Sequence, residues 1–210
     1  MDHDRKRGLR RDLLEVRRAL PPDVVAATGE ALATRALELD ELVWPLTPRP
    51  EALPTVAAYV SMGGEPSTRP LLDLLRAAGV QVLLPVLLPD NDLDWALYEG
   101  AEGLVRAGRG LLEPDGQRLG PEAVTEADVV LLPGLAVDRS GLRLGRGGGS
   151  YDRVLARLER AGARASLVVL LYDAEVLAEV PGEPHDRHVH AAVTPSGVHR
   201  FTEPGESAEG

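Results

Sequence analysis

Residues 129–160 constrain this chain more than any other stretch. The apolar run Val129–Leu132 closes at Pro133 and Gly134, the pattern of a buried strand running into a turn. Further on, Tyr151–Arg160 reads as a helix with Val154, Leu155 and Leu158 on one face. Between the two lie Gly145, Gly147, Gly148 and Gly149, with Arg143 and Arg146 flanking the turn and Asp152 just behind it. A strand, a glycine-rich turn and a helix make an anion site from backbone alone. Glycines let main-chain N–H groups converge, and the helix N-terminus adds partial positive charge. The arginines add fixed positive charge, and Asp152 stands where a carboxylate can hold a metal ion against a bound phosphate. The plainer alternative is a surface loop before a helix. The two cations, the acid and the strand–turn–helix context weigh against it.

The sheet around that loop is predicted from the rest of the pattern. TVAAYV (55–60) reads as a buried strand, SMGGEPST as a strand-to-helix turn, RPLLDLLRAAG as a helix and VQVLLPV (80–86) as the next strand. This β–α–β run implies a parallel sheet with a right-handed crossover. Ligands bind such sheets at the carboxyl ends of the strands, where Val60 and Glu65 fall. For Glu65 alone, a carboxylate at a helix start favoured by the dipole is the simpler role. LDWALYEG (93–100) alternates as an edge strand, and 101–120 is expected to be irregular. Ser166–Leu171 adds a strand and VHAAVTP supplies the last one. Helices are expected over 5–20 and 23–43, and Pro45, Pro48, Pro50 and Pro54 mark a loop. The fold class is α/β: one domain over 1–202, an open, mostly parallel sheet with helices on both faces, and the N-terminal helices laid over the sheet. The polar tail 203–210 is expected to be disordered.

Composition excludes several functions. Cysteine is absent, so disulfides, thiolate catalysis and cysteine-based zinc sites are ruled out. The net charge of -10 argues against general nucleic-acid binding while leaving room for a local basic pocket. No apolar run spans a bilayer and no signal peptide is evident, so a soluble, monomeric, cytoplasmic protein without a membrane partner is expected. His185, His188 and His190 fit no strong zinc spacing and read as surface loop residues. Lysine occurs once, as Lys6, against 23 Lys plus Arg in total, and Asn91 is the only asparagine. The first helix, RKRGLRRDLLEVRRAL (5–20), places Leu9, Leu13, Val16 and Leu20 at helical spacing and a basic set on the other face. Lys6 and Arg10, four apart, share one side of it.

RLGRGGGSYDR (143–153) resembles the signature loop of the 5-formyltetrahydrofolate cyclo-ligases, and PGLAVDRSG (133–141) the segment that precedes it in that family. The resemblance extends to the K-x-x-L-R spacing of Lys6, Leu9 and Arg10, to the turn holding Glu65, to GLLEP (110–114) and to the segment around Asp186. Ser150 stands where an aromatic residue is usual, Gly148 where some members carry Lys, and Glu175 close to a usual Gln. The fold implied is the open α/β sheet shared with sugar-phosphate isomerases and CoA transferases. The activity implied is the ATP- and Mg²⁺-dependent conversion of 5-formyltetrahydrofolate to 5,10-methenyltetrahydrofolate.

The resemblance also implies roles. Lys6, Arg7, Gly8, Leu9 and Arg10 would hold ATP together with Arg143, Leu144, Gly145, Arg146, Gly147, Gly148, Gly149, Ser150 and Tyr151. Val60 and Glu65, with Arg146 through Ser150, would contact the reduced folate. Asp152 and Asp186 would hold Mg²⁺, and Lys6 and Arg143 would be the catalytic cations. Chemistry of this kind needs positioning and charge neutralisation more than covalent catalysis. Two alternatives carry weight: a sugar-phosphate isomerase or CoA-transferase-like enzyme using the loop for one phosphate, and a folate- or nucleotide-binding protein without turnover.

Overall fold

Residues 2–43, 53–183 and 186–201 are described by the structure, a computed structural model. The chain opens with helices α1 (Asp2–Arg18), α2 (Pro22–Ala36) and α3 (Asp40–Val43). Strand β1 (Thr55–Ala57), helix α4 (Arg69–Ala77) and strand β2 (Gln81–Leu87) form the predicted β–α–β unit, with β1 and β2 parallel. Strands β3 (Leu93–Leu97), β4 (Leu104–Arg106), β5 (Leu112–Pro114) and β6 (Val129–Pro133) follow. Then come β7 (Ala136–Asp138), β8 (Arg143–Leu144), helix α5 (Ser150–Ala161), β9 (Ser166–Leu170), β10 (Val176–Leu177), β11 (Ala191–Thr194) and β12 (Gly197–Arg200).

The main sheet has seven strands in the order β12-β11-β9-β6-β1-β2-β3. Its inner strands run parallel, and β3 and β12 close the two edges antiparallel. β6 shows why a continuous apolar run was the right signal for such a strand. Val129 and Leu131 face α2 and α4 with Leu32, Ala36, Leu71 and Leu75, while Val130 and Leu132 face α5 with Val154, Leu155 and Leu158. A strand covered on both faces needs no polar side, so it reads as unbroken hydrophobicity. Each such leucine or valine contributes about 1.5–3 kcal/mol by leaving water. Helices therefore cover both faces, as expected.

Other expectations are corrected. The helix expected over 23–43 breaks after Ala36, and Leu39 in the turn and Leu42 in α3 are completely buried. The stretch 101–120 is not wholly irregular, because β4 and β5 pair as an antiparallel hairpin. The strand in VHAAVTP is followed by β12, which pairs with it. Helix α1 does not lie on the main sheet. Its Leu9, Leu13 and Leu14 pack on Leu135, Ala136, Leu144 and Val180, around a separate three-stranded sheet ordered β10-β7-β8. Pro45, Pro48, Pro50, His185 and the tail 203–210 lie outside the described residues. Among the described residues no helix is long and apolar enough to cross a membrane.

The small sheet carries the glycine loop, and Asp138 holds it together. One carboxylate oxygen accepts from the Ser140 N–H (2.9 Å), the Ser140 hydroxyl (2.6 Å) and the Leu142 N–H (3.1 Å). The other accepts from the Val180 N–H at 3.1 Å. Burial alone would raise the pKa of this carboxyl; the Ser140 hydroxyl and the Val180, Ser140 and Leu142 N–H groups outweigh it and hold the pKa below the ordinary value. Its stabilisation is therefore complete above the unfolded pKa, about 4, and is lost as pH falls through the lower folded value. Asp138→Ala should lower the unfolding free energy at pH 7 by about 2–4 kcal/mol, since four donors, the buried Val180 N–H among them, lose their acceptor. Urea denaturation at pH 7 and in acid measures it. The gap to the wild type should narrow in acid, and an undiminished gap there would mean that the charge is not what holds the sheet.

Candidate functional site

Strand β1 is hydrogen-bonded to β2 on one side and β6 on the other. The chain leaves β1 toward β2 and returns to the opposite flank only at β6. Such a reversal opens a crevice at the carboxyl ends of the strands. A cavity of about 400 Å³ lies there. The β1 exit supplies Tyr59, Val60, Met62 and Glu65, β2 and β3 supply Pro85, Leu87 and Leu93, and the β4–β5 hairpin supplies Arg109, Leu111 and Leu112. The opposite wall is Pro133, Arg143 and the loop from Gly145 to Asp152.

The Glu65 turn is held by Thr68. Its hydroxyl donates to the Tyr59 carbonyl (2.7 Å) and accepts from the Ser61 N–H (2.9 Å). Glu65 is 5% exposed, accepts from the Met62 N–H at 2.9 Å and lies 3.3 Å from the Arg146 guanidinium. Burial pushes its pKa up, opposed by the Met62 N–H and by the charges of Arg146 and Arg17. The loop's shape depends on glycine at Gly147. Its φ is 86°, and an added Cβ would sit 3.4 Å from the Arg10 guanidinium carbon. Arg10 reaches the loop from outside, its Nε donating to the Gly145 carbonyl at 2.9 Å.

Arg143 is buried behind the loop. One guanidinium nitrogen donates to the Pro133 carbonyl (2.9 Å), and another lies 3.3 Å from Asp152 Oδ1. Burial presses its pKa down, and Asp152, Tyr151 and Asp186 oppose that. Its Nε and the Tyr151 hydroxyl are buried without a hydrogen-bond partner among the described residues. Buried polar atoms are rarely left so, and both belong to residues lining the cavity. They make this wall a candidate for holding a polar ligand.

Lys6 is placed differently. It is 3% exposed, and its ammonium donates to Glu183 (2.7 Å) and Asp186 (2.5 Å). Burial alone would lower its pKa, but the bonds and charges of Asp186 and Glu183 more than offset this and keep it protonated. The structure thus joins Lys6, which the resemblance assigns to ATP, with Asp186, which it assigns to Mg²⁺, and neither lines the cavity. Arg7 is exposed and pairs with Asp4, Gly8 borders open space, Leu9 packs on the small sheet and Leu144 is buried in it. Val60, Glu65, Arg143, Gly145 to Ser150, Tyr151 and Asp152 do come together.

For magnesium, no three His, Cys, Asp or Glu side chains converge as a metal cage among the described residues. Magnesium at a triphosphate needs only one or two carboxylates, with phosphate oxygens and water completing its shell. Asp152, on the cavity wall and 69% exposed, fits that requirement. Of the histidines, His190 Nδ1 accepts from the Leu167 N–H at 2.8 Å, a bond between neighbouring strands.

The sequence reading missed Arg17. Val16, which it placed on the apolar face of α1, is 61% exposed, while Arg17 is 2% exposed. Its guanidinium donates to both oxygens of Glu175 at 2.7 Å and to the Gly134 carbonyl at 2.7 Å, and lies over the Tyr172 ring, 5.7 Å from its centre. The Arg17 carbonyl packs against Gly64, where an added Cβ would come within 2.5 Å. The signal was present in the spacing. Lys6, Arg10 and Arg17 stand at i, i+4 and i+11, on one side of a helix, so the inward face itself carries cations.

The sequence profile of the 5-formyltetrahydrofolate cyclo-ligase family matches residues 2–195. The chain is similar to a 5-formyltetrahydrofolate cyclo-ligase of Mycolicibacterium smegmatis, 43% identical over 195 residues, covering 90% of this chain and 93% of that protein. It is similar to that of Escherichia coli, 33% identical over 184 residues, covering 87% and 96%. Among solved structures it resembles the NMR structure of Aquifex aeolicus 5,10-methenyltetrahydrofolate synthetase, with a TM-score of 0.76, 27% identity and coverage of 98% and 96%.

Arg17→Met should lower the unfolding free energy by about 3–5 kcal/mol, because Glu175 stays buried without its cation. Adding Glu175→Gln, which removes the charge and keeps an acceptor for the Tyr172 N–H, should recover much of that loss. Chemical denaturation of the single and double variants decides it. Equal losses in both would mean that the two charges are not coupled.

Proposed function

The chain belongs to the 5-formyltetrahydrofolate cyclo-ligase family, and from that premise we propose that its β1/β6 crevice performs the family's reaction on 5-formyltetrahydrofolate and ATP. The observation that carries this reading is one cavity lined by two chemically different elements. A buried carboxylate, Glu65, and a glycine loop with Arg143 and Arg146 line it together, Arg146 bridging the two at 3.3 Å from Glu65.

The formyl group on N5 is an amide and a poor electrophile. In the reading proposed here its oxygen attacks the γ-phosphorus of ATP, an O–P bond forms and ADP leaves. The N10 lone pair then attacks the formyl carbon, the C–O bond breaks, phosphate departs and N10 loses its proton. The residues of this chain position and neutralise rather than bond covalently. Loop N–H groups and the N-terminus of α5 face the phosphates. Arg143, held by the Pro133 carbonyl, presents a fixed cation to the developing charge. Glu65, kept largely dry, orients the pterin through hydrogen bonds and is itself steadied by Arg146. Asp152 would hold Mg²⁺, with Asp186 the second candidate. When bound, the ion offsets phosphate charge and aligns the leaving group. Lys6 would serve the phosphates from α1 by exchanging one of its carboxylate partners for a phosphate oxygen.

Purified protein given 5-formyltetrahydrofolate, ATP and Mg²⁺ should form the methenyl product, read by its near-ultraviolet absorbance, together with phosphate. Phosphate release that needs no folate, or product formed in excess chelator, would defeat the coupled reading. Asp152→Asn should raise the barrier by about 2–4 kcal/mol with the fold intact, since the residue is exposed.

Lys6→Ala should raise the KM for ATP by about tenfold or more, for a lost charge-assisted contact. Arg11→Ala, on an exposed side chain that pairs with Asp12, should leave it unchanged. Steady-state kinetics on folded variants, checked by circular dichroism, measures the difference. Equal, negligible effects would reduce α1 to packing.

A further inference from the structure

Among the described residues, only Asn91 (φ 67°) and Arg109 (φ 60°) combine a side chain with the left-handed backbone region. Each such residue costs on the order of 1 kcal/mol or more, and such residues gather at ligand sites. These two belong to different turns, Asn91 between β2 and β3 and Arg109 at the tip of the β4–β5 hairpin. They meet through their side chains, Arg109 donating to the Asn91 amide oxygen at 2.9 Å.

The charges around them are uneven. Asp90 and Asp92, on either side of Asn91, are taken by Arg153 (3.4 Å) and Arg157 (2.7 Å). Glu113, on the same hairpin, accepts from the Leu87 N–H at 3.0 Å. Arg109 is exposed, and among the described residues its one hydrogen-bond partner is neutral. A guanidinium aimed by a strained turn and steadied by an amide keeps its charge and its remaining N–H groups for an anion.

Arg109 also lines the cavity, on the same hairpin wall as Leu111 and Leu112, with Leu87 and Leu93 nearby. It stands apart from the glycine loop in sequence and element. A reduced folate has a polar pterin, an apolar aminobenzoyl middle and a dicarboxylate glutamyl tail. The cavity offers a buried carboxylate, an apolar wall and an exposed guanidinium. On the cyclo-ligase reading, on which this step rests, we propose that Arg109, steadied by Asn91, binds the glutamyl carboxylate of the substrate and selects for that charged tail. In a chain of net charge -10, one uncompensated cation at the rim decides how well an acidic tail is received.

The test uses two substrates: 5-formyltetrahydrofolate, and the same compound with both tail carboxylates converted to amides. For Arg109→Gln the KM for the natural substrate should rise about tenfold, with kcat within about twofold, as expected for a contact equal in ground and transition states. For the amide the KM should match that of the wild type. Asn91→Gly keeps a residue suited to that φ and removes the amide that steadies Arg109, so it should give a smaller rise, about two- to threefold, on the natural substrate only. Thermal melting confirms that each variant is folded. Equal KM changes on both substrates, or none on either, would overturn the assignment of Arg109 while the activity stands. A wild type that turns over neither substrate would defeat the activity reading, and this inference with it.

Discussion

A single guanidinium, buried where α1 ends, fixes the relative positions of most parts of the site. Arg17 pairs with Glu175 beside the small sheet, donates to Gly134 at the exit of β6, and lies over Tyr172, whose hydroxyl donates to the Gly64 carbonyl. Gly64 immediately precedes Glu65, and Gly134 immediately follows the strand that forms the opposite wall. A buried charge left without its partner costs several kcal/mol, so these contacts stand together or fail together. The pair also acts directly on Glu65, Arg17 favouring its ionised form and Glu175 opposing it. The crevice is therefore a product of the N-terminal helix as much as of the sheet.

Cations surround the glycine loop in two tiers. Arg143 and Arg146 line the cavity. Arg10 and Lys6, on α1, work from behind, Arg10 on the Gly145 carbonyl and Lys6 on Glu183 and Asp186. All four meet protein in this structure, and on the proposed reaction Arg143 and Arg146 are the two that would also meet ligand.

Local periodicity made much of this legible. The unbroken run of β6, the glycine turn and the amphipathic α5 could be read because each pattern fits within one short window. The same holds for β1, α4 and β2, and for Glu65 at a strand exit. The small sheet was invisible because its strands are two or three residues long, too short for a period of two to show. Arg17 was hidden by the habit of assigning arginines to the solvent side of a helix. Its burial is licensed by Glu175 and the Gly134 carbonyl, both far away in sequence. Arg109 and Asn91 gave no signal either, since two turns that meet in space leave no shared spacing in the chain.

The inward cationic face of α1 has a consequence for synthesis. Arg17 and its acid are 158 positions apart, and Lys6 and Asp186 are 180 apart. A ribosome adding roughly 5–20 residues per second makes those acids on the order of ten seconds after the helix has emerged. For that interval Lys6 and Arg17 lack their distant acidic partners, while β1, α4 and β2 can already pair. Closing so long a loop is slow, because its entropy must be lost before the contacts form. Helix α1 thus cannot complete its buried ion pairs until the segment around Glu175 and Asp186 has been made, and the glycine loop that Arg10 supports shares that dependence.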